Sequence, residues 1–455
     1  MTPRRLTLAF ALSAMAVLVA SAIAGANGGG TPILVDPFGA GCPAQHKTVV
    51  EPDTYSAGST IVAAAQTGRF TDGGACDIGF ATSTTSGASW TSGVLPGITV
   101  YTNPPGPYAR ANDPSVAYDA RHNVWLISSI ALDASLRGVA VLASRSTNGG
   151  LSWTNPVPIA AAGNGQDFDK DWIVCDDSAT SPFYGSCYAE WDDAGHGNQL
   201  RAAYSRDGGA TWLPAQVPNA GVIGGQPVVQ PNGTAIMPID NATETALGVT
   251  ISTDGGASWG KVKTITPLTT AVDPGGIRSG PLPSAEIDGA GKVFVTWEDC
   301  RFRPSCSSND LVYTTSTNGT TWTAVQRIPI DPTNSTVDHL IPGIGVDKAT
   351  SGTAAHVSVT YYYFPNFNCT FASCLLDVGS ISSANGGSTW SAPVQLAGPM
   401  TLNLLPVAGS GRFVGDYIST SFASGASHGA VIVAKPSSTT DPFDVALYDP
   451  EVRFR

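Results

Sequence analysis

The sequence predicts an all-β protein built from repeated four-stranded antiparallel sheets, and three observations lead there. Short runs rich in Val, Ile, Thr and Tyr alternate with turn residues along most of the chain, which holds 51 Gly and 33 Pro. One turn recurs: STTSGASW ending at Trp90, STNGGLSW at Trp153, SRDGGATW at Trp212, STDGGASW at Trp259, the shorter STNGTTW at Trp322 and SANGGSTW at Trp390. These six close on most of the chain's ten tryptophans, which marks a repeat architecture rather than chance. Finally, 455 residues that are 42% hydrophobic and 13% charged can bury a large core and do not read as disordered.

Each residue type in the turn has a local task. Ser and Asp or Asn oxygens accept turn N–H groups, and Gly takes a positive φ without steric cost. The Trp can fold back as an apolar lid, its indole N–H within reach of a carbonyl. Strands flank every copy: PSVAYD (114–119), NVWLISSIA (123–131) and VAVLASRS (139–146) lead into the second turn, and NPVPI follows it. Four antiparallel strands make one unit, and a unit alone cannot bury both faces, so the units must stack around a closed ring. Units are expected at 47–100, 113–160, 168–218, 223–267, 281–330 and 338–397. A seventh, without the turn, runs from GRFVGDYISTSF through GAVIVAKP to FDVALYDPEV, with TPILVDP (31–37) adding its outermost strand.

The ends and the charge set the setting. Residues 1–26 pair Arg4 and Arg5 with an apolar run from Leu6 to Ala20 and small-residue cleavage sites, the pattern of a signal peptide. Residues 27–455 are expected to form one secreted, extracellular domain, acting as a monomer, and no later stretch is long and apolar enough to cross a membrane. A net charge of -12 argues against nucleic acid, which needs basic patches. Eight cysteines in an exported chain favour disulfides. Three pairs are close in sequence, Cys175 with Cys187, Cys300 with Cys306 and Cys369 with Cys374, which leaves Cys42 for Cys76.

The tryptophan-closed turns resemble Asp-boxes, the repeat of sialidases and related β-propellers. Asp207 and Asp254 keep the acid, Asn148, Asn318 and Asn385 replace it, and Thr85 departs further. The resemblance implies a seven-bladed β-propeller of four-stranded antiparallel blades with six Asp-box hairpins, a six-bladed sialidase propeller with an extra N-terminal sheet being the competing count. It also implies that loops entering the first strand of each blade, and those joining its second and third strands, crowd one face around a channel.

In the sialidase register, ARANDPSVAYD resembles the first-arginine segment, with Arg110 displaced by two residues and Asp113 beside it. Asp133 matches the acid/base position, Arg301 the second arginine and Tyr417, in GDYISTSF, the nucleophile. Where the family has a glutamate this chain reads GPLPSAE, so Glu286 or Glu298 would have to substitute, and the loop YFPNFNCTFASC has no third arginine. Arg412 could replace that arginine or pair with Asp416, and pairing is the expectation; His339 lies on a loop of the same face. A tyrosine nucleophile needs a neighbouring carboxylate to take its proton. Asp167, Asp169 and Asp171 alternate like the start of a calcium loop, but Trp172 and Ser178 break the EF-hand pattern, leaving a structural Ca2+ site of another kind or a solvated turn. No other cofactor is expected. The leading expectation is a secreted sialidase-like protein that recognises glycans and hydrolyses a terminal acidic sugar. Its rivals are a non-catalytic propeller binding protein or polysaccharide, and another glycosidase or lyase on the same scaffold.

Overall fold

A computed structural model describes residues 30–438 and 440–454, so the expected signal peptide lies outside the described residues. Antiparallel sheets follow one another along the chain. The first holds Gln45–Ala57, Thr60–Arg69, Ala75–Ser83 and Thr91–Val94, and a single bridge from Ala75 to Ala111 joins it to Arg110–Asp119, Val124–Leu132, Gly138–Ser146 and Val157–Ala161. Phe168–Cys175 opens the next sheet, Val222–Gly225 with Val228–Val229 the one after, then Ser284–Ile287 and Asp338–Val346. The last sheet is opened by Ser419–Ala423. Leu34 bridges Leu447 on the outside of that sheet, where the TPILVDP segment is expected.

The opening strands form the wall of a channel. Each packs on the opening strand of the next sheet, and Ser419–Ala423 packs on Gln45–Ala57. The Thr54 amide donates to Ser419 Oγ at 2.6 Å across that junction. Contact is close enough to demand glycine: a Cβ on Gly343 or Gly345 would lie 2.7 Å from the carbonyl oxygen of Ile418 or Thr420.

The recurrent hairpins take the form their sequence dictates, with one addition. In the fourth copy Ser252 Oγ donates to Asp254 Oδ1 at 2.9 Å and accepts the Gly256 amide at 3.0 Å, while Asp254 Oδ1 accepts the Ser258 amide at 2.9 Å. Trp90, Trp212 and Trp322 donate their indole N–H to the second-glycine carbonyl or its equivalent, at Gly87, Gly209 and Gly319. Beyond lidding its own hairpin, the tryptophan reaches the preceding sheet: Trp153 packs on Phe80, Trp259 on Tyr188 and Trp390 on Tyr313. Each hairpin therefore rivets two sheets. Replacing Asp254 with Ala removes the acceptor of three hydrogen bonds and is expected to cost about 1 kcal/mol in urea unfolding; an unchanged midpoint would mean the glycines alone hold the turn.

All four disulfides join the expected partners, Cys42–Cys76, Cys175–Cys187, Cys300–Cys306 and Cys369–Cys374. Among the described residues no helix is long and apolar enough to cross a membrane.

Candidate functional site

The channel mouth is furnished by a repeated irregularity in the opening strands. Their pairing with the second strand slips between Val50 and Asp53, between Asn112 and Ser115, opposite Glu190 and Asp192, between Ile223 and Gly225, and between Leu340 and Gly343. At each slip one residue takes a left-handed conformation: Glu51 (φ 58), Asp113 (φ 46), Lys170 (φ 55), Gly224 (φ 68) and Ile341 (φ 50). A β-bulge turns a side chain out of the sheet alternation. Here three of the five bulge residues, Glu51, Asp113 and Lys170, line one cavity of about 200 Å3 together with Arg69, Asp169 and Arg278. Carboxylates support the bulges: Asp113 Oδ2 accepts the Lys170 amide at 3.0 Å, Glu190 accepts Gly225 at 3.0 Å and Glu298 accepts Ile341 at 3.1 Å.

Asp416 sits at the centre of the charge network. It pairs with Lys170 Nζ and accepts from Arg278 Nε at 2.8 Å. Burial opposes its ionisation, yet Lys170 and Arg278 outweigh that and hold its carboxyl well below the usual range. Asp113 goes the other way. Burial, then the charges of Glu51 and Asp169, push its carboxyl well above the usual range. Arg69 and Arg278 lie on the Phe413 ring at 4.9 and 4.8 Å, and Arg69 Nη1 donates to Gln66 at 2.6 Å.

Of the residues singled out from the sequence, Asp113 lines this cavity with Asp167 and Asp169, while the others stand elsewhere. Tyr417 lies just below, half-buried, its hydroxyl donating to the Pro114 carbonyl at 3.0 Å and its ring edge-on to Trp172. Burial, then the acids Glu51 and Asp113, push the phenol well above its usual range. Asp133 is on an exposed turn outside the cavity; slight burial raises its carboxyl, but the Arg137 and Ser135 amides and the Arg137 guanidinium prevail and hold it below the usual range. Arg110 pairs with Asp72, Arg301 with Asp299, and His339 is buried against the Asn309 carbonyl, where burial pushes it down to about 4. Arg412 donates to the Leu405 carbonyl and does not reach Asp416, whose partners are Lys170 and Arg278; the expected Arg412 pairing is corrected on that point. Glu286 lines a different cavity at the far end of the channel.

Metal ligands do not gather in the Asp167–Asp171 run: Asp167 accepts the Gly138 amide at 2.7 Å, and Asp171 is buried apart. Among the described residues one group, Asp310, Asp331 and His339, has metal-like spacing, and the guanidinium groups of Arg303 and Arg327 already fill it. Glu51 and Lys170 are the site residues that motif reading passes over. An αL residue other than glycine leaves no local sequence signal, and the Arg278–Asp416 pair joins residues far apart in the chain.

Residues 139–345 match a family model described as a BNR repeat-like domain. No curated protein matches the sequence. Solved structures similar to it include a Hadza microbial sialidase (15% identity, 70% of this chain and 64% of that chain, under two thirds of its length, TM-score 0.48). The intramolecular trans-sialidase from Ruminococcus gnavus is similar at 12% identity over 72% and 93% of the two chains, with a TM-score of 0.48. An ulvan lyase bound to its oligosaccharide is similar at 11% identity over 93% and 94%, with a TM-score of 0.49. The matched segment spans the second to fifth tryptophan-closed hairpins and includes Lys170 and Arg278, while Glu51, Asp113 and Asp416 lie outside it.

Proposed function

We propose that this protein is an extracellular, carbohydrate-active seven-bladed propeller that takes a glycan into the upper mouth of its channel and cleaves a glycosidic bond there. The cyclic packing of the opening strands supports the blade count, and four disulfides fit an oxidising compartment. One observation carries the chemistry: a buried Asp113, its carboxyl pushed above the usual range by burial and the neighbouring acids, faces an open cavity beside Asp169 and Glu51. A general acid must hold its proton at working pH, and a second carboxylate must stabilise or attack the oxocarbenium-like centre. Asp113 takes the first role in this reading and Asp169 the second, while Lys170, fixed by Asp416, orients the sugar.

Tyr417 fits the nucleophile's role less well. Its hydroxyl donates to a backbone carbonyl rather than to a carboxylate that could take its proton. Arg110, Arg301 and Arg412, the arginines to which the sialidase register points, are each engaged within the protein.

A glycan array followed by hydrolysis assays tests this. Asp113→Asn is expected to lower kcat on the responding glycan by about 100-fold or more and to abolish the alkaline limb of the pH profile, with Tyr417→Phe much milder. Full activity in Asp113→Asn, or loss confined to Tyr417→Phe, would overturn the assignment.

A further inference from the structure

The channel has a second, separate chamber. Below Tyr417 it narrows to about 30 Å3 between Leu282, Pro283, Ile341, Pro342 and Trp172, room for about one water. Beyond that neck, where the opening strands end, it widens again to about 190 Å3. No sugar passes from one chamber to the other, so the lower one opens only through its own mouth.

Its polar groups are held in place and not used up. Tyr55 donates its hydroxyl to Asp177 Oδ2 at 2.7 Å and accepts from Lys348 Nζ at 2.7 Å. That contact fixes the ammonium, which has two further N–H donors. Glu286 lines the same chamber; the Ile287 amide is the hydrogen-bond donor to its carboxyl, Lys348 acts on it through space, and further acceptor positions of the carboxyl stay open. Trp172, Val116 and Val228 supply apolar wall. A donor and an acceptor therefore face the same space across a gap that neither bridges.

We propose that this lower chamber is a second ligand site that takes a neutral sugar ring, with adjacent hydroxyls accepting from Lys348 and donating to Glu286 and with Trp172 as its apolar wall. Charge balance selects the class. An anionic sugar would meet Asp53, Asp177, Glu286 and Asp288, and a cationic amine would meet the Lys348 ammonium that already stands among those acids. A vicinal diol satisfies both sides because each hydroxyl both donates and accepts. Burial raises Glu286 to about 7 despite the Lys348 charge and the Ile287 amide. A site at this end explains why Glu286 stands far from Asp113, and it is independent of any chemistry at the upper mouth.

The test uses the full chain, with tryptophan fluorescence and ligand-observed NMR read against D-glucose, D-galactose, D-mannose, L-rhamnose, D-glucuronate and spermidine. At least one neutral sugar is expected to saturate the protein with a Kd of about 1 mM. That Kd should rise about tenfold in Glu286→Ala and in Lys348→Met and stay unchanged in Asp113→Asn. Should either variant fail to fold, Tyr55→Phe, which removes only the hydroxyl that fixes Lys348, is expected to weaken binding about threefold. Failure of every neutral sugar to saturate, binding of glucuronate or spermidine alone, affinity untouched by these variants, or affinity lost in Asp113→Asn instead would each overturn the proposal. Loss of hydrolysis in Asp113→Asn with sugar binding intact leaves it standing.

Discussion

Acidification from about pH 8 to about pH 5 is expected to stabilise this protein, against the common tendency of folded chains to be most stable near neutrality. Asp240 is wholly buried with neither oxygen hydrogen-bonded; burial, then the nearby Glu244, raise it to about 8. Burial also lifts Asp77 to about 7, against its hydrogen bonds from Thr99 and Ile78. Asp113, Asp171 and Glu190 are raised by burial first and by neighbouring acids next. In the unfolded chain all of these ionise near about 4. Between those limits the folded state binds more protons than the unfolded state, so stability falls as pH rises. Each such group contributes about 1.4 kcal/mol per pH unit until it ionises. A net gain of at least about 3 kcal/mol at the acidic end is expected in urea unfolding, together with a higher Tm. The net charge of -12 acts in the same direction, since protonation relieves self-repulsion. Below about pH 4 the slope should reverse, because Asp416, held low by Lys170 and Arg278 against its burial, contributes stability that is lost as it protonates. A flat profile, or one rising with pH, would show that the buried acids are ionised in the fold.

Asp416→Asn should destabilise the fold by about 3–5 kcal/mol. The substitution keeps the shape of the side chain and removes the charge that Lys170 and Arg278 share, leaving two cations in a site where Asp416 is 8% exposed. The loss comes from uncompensated charge, so the second substitution Arg278→Met should restore part of it. Additive losses in the double variant would mean that the pair is not what Asp416 stabilises. The same variant frees Lys170 at the upper mouth, so glycan affinity should fall alongside stability.

What could be read from sequence was what is local. The six hairpins were legible because the residues of each turn act on one another within eight positions, as Ser252, Asp254, Gly256 and Ser258 do in the fourth copy. Three disulfides joined cysteines at most 12 apart in the chain, so their pairing was legible too. The candidate site was less so. Asp113 was singled out as a binding residue and Asp169 as part of a calcium-like run, and Arg412 was matched to Asp416 on proximity in sequence, whereas Arg278 reaches it from the loop before Ser284–Ile287.

By itself, then, the sequence determined the strand-rich composition, the repeated hairpins and the cysteine pairs, because each is settled by interactions among neighbours in the chain. Tertiary structure alone decided which side chains share a cavity. Bulge registers aim Glu51, Asp113 and Lys170 into the channel, and the packing of one opening strand on the next sets them against Arg278 and Asp416. Those positions depend on hydrogen-bond slips and on approaches between sheets, which leave no trace in the order of residues within any one strand.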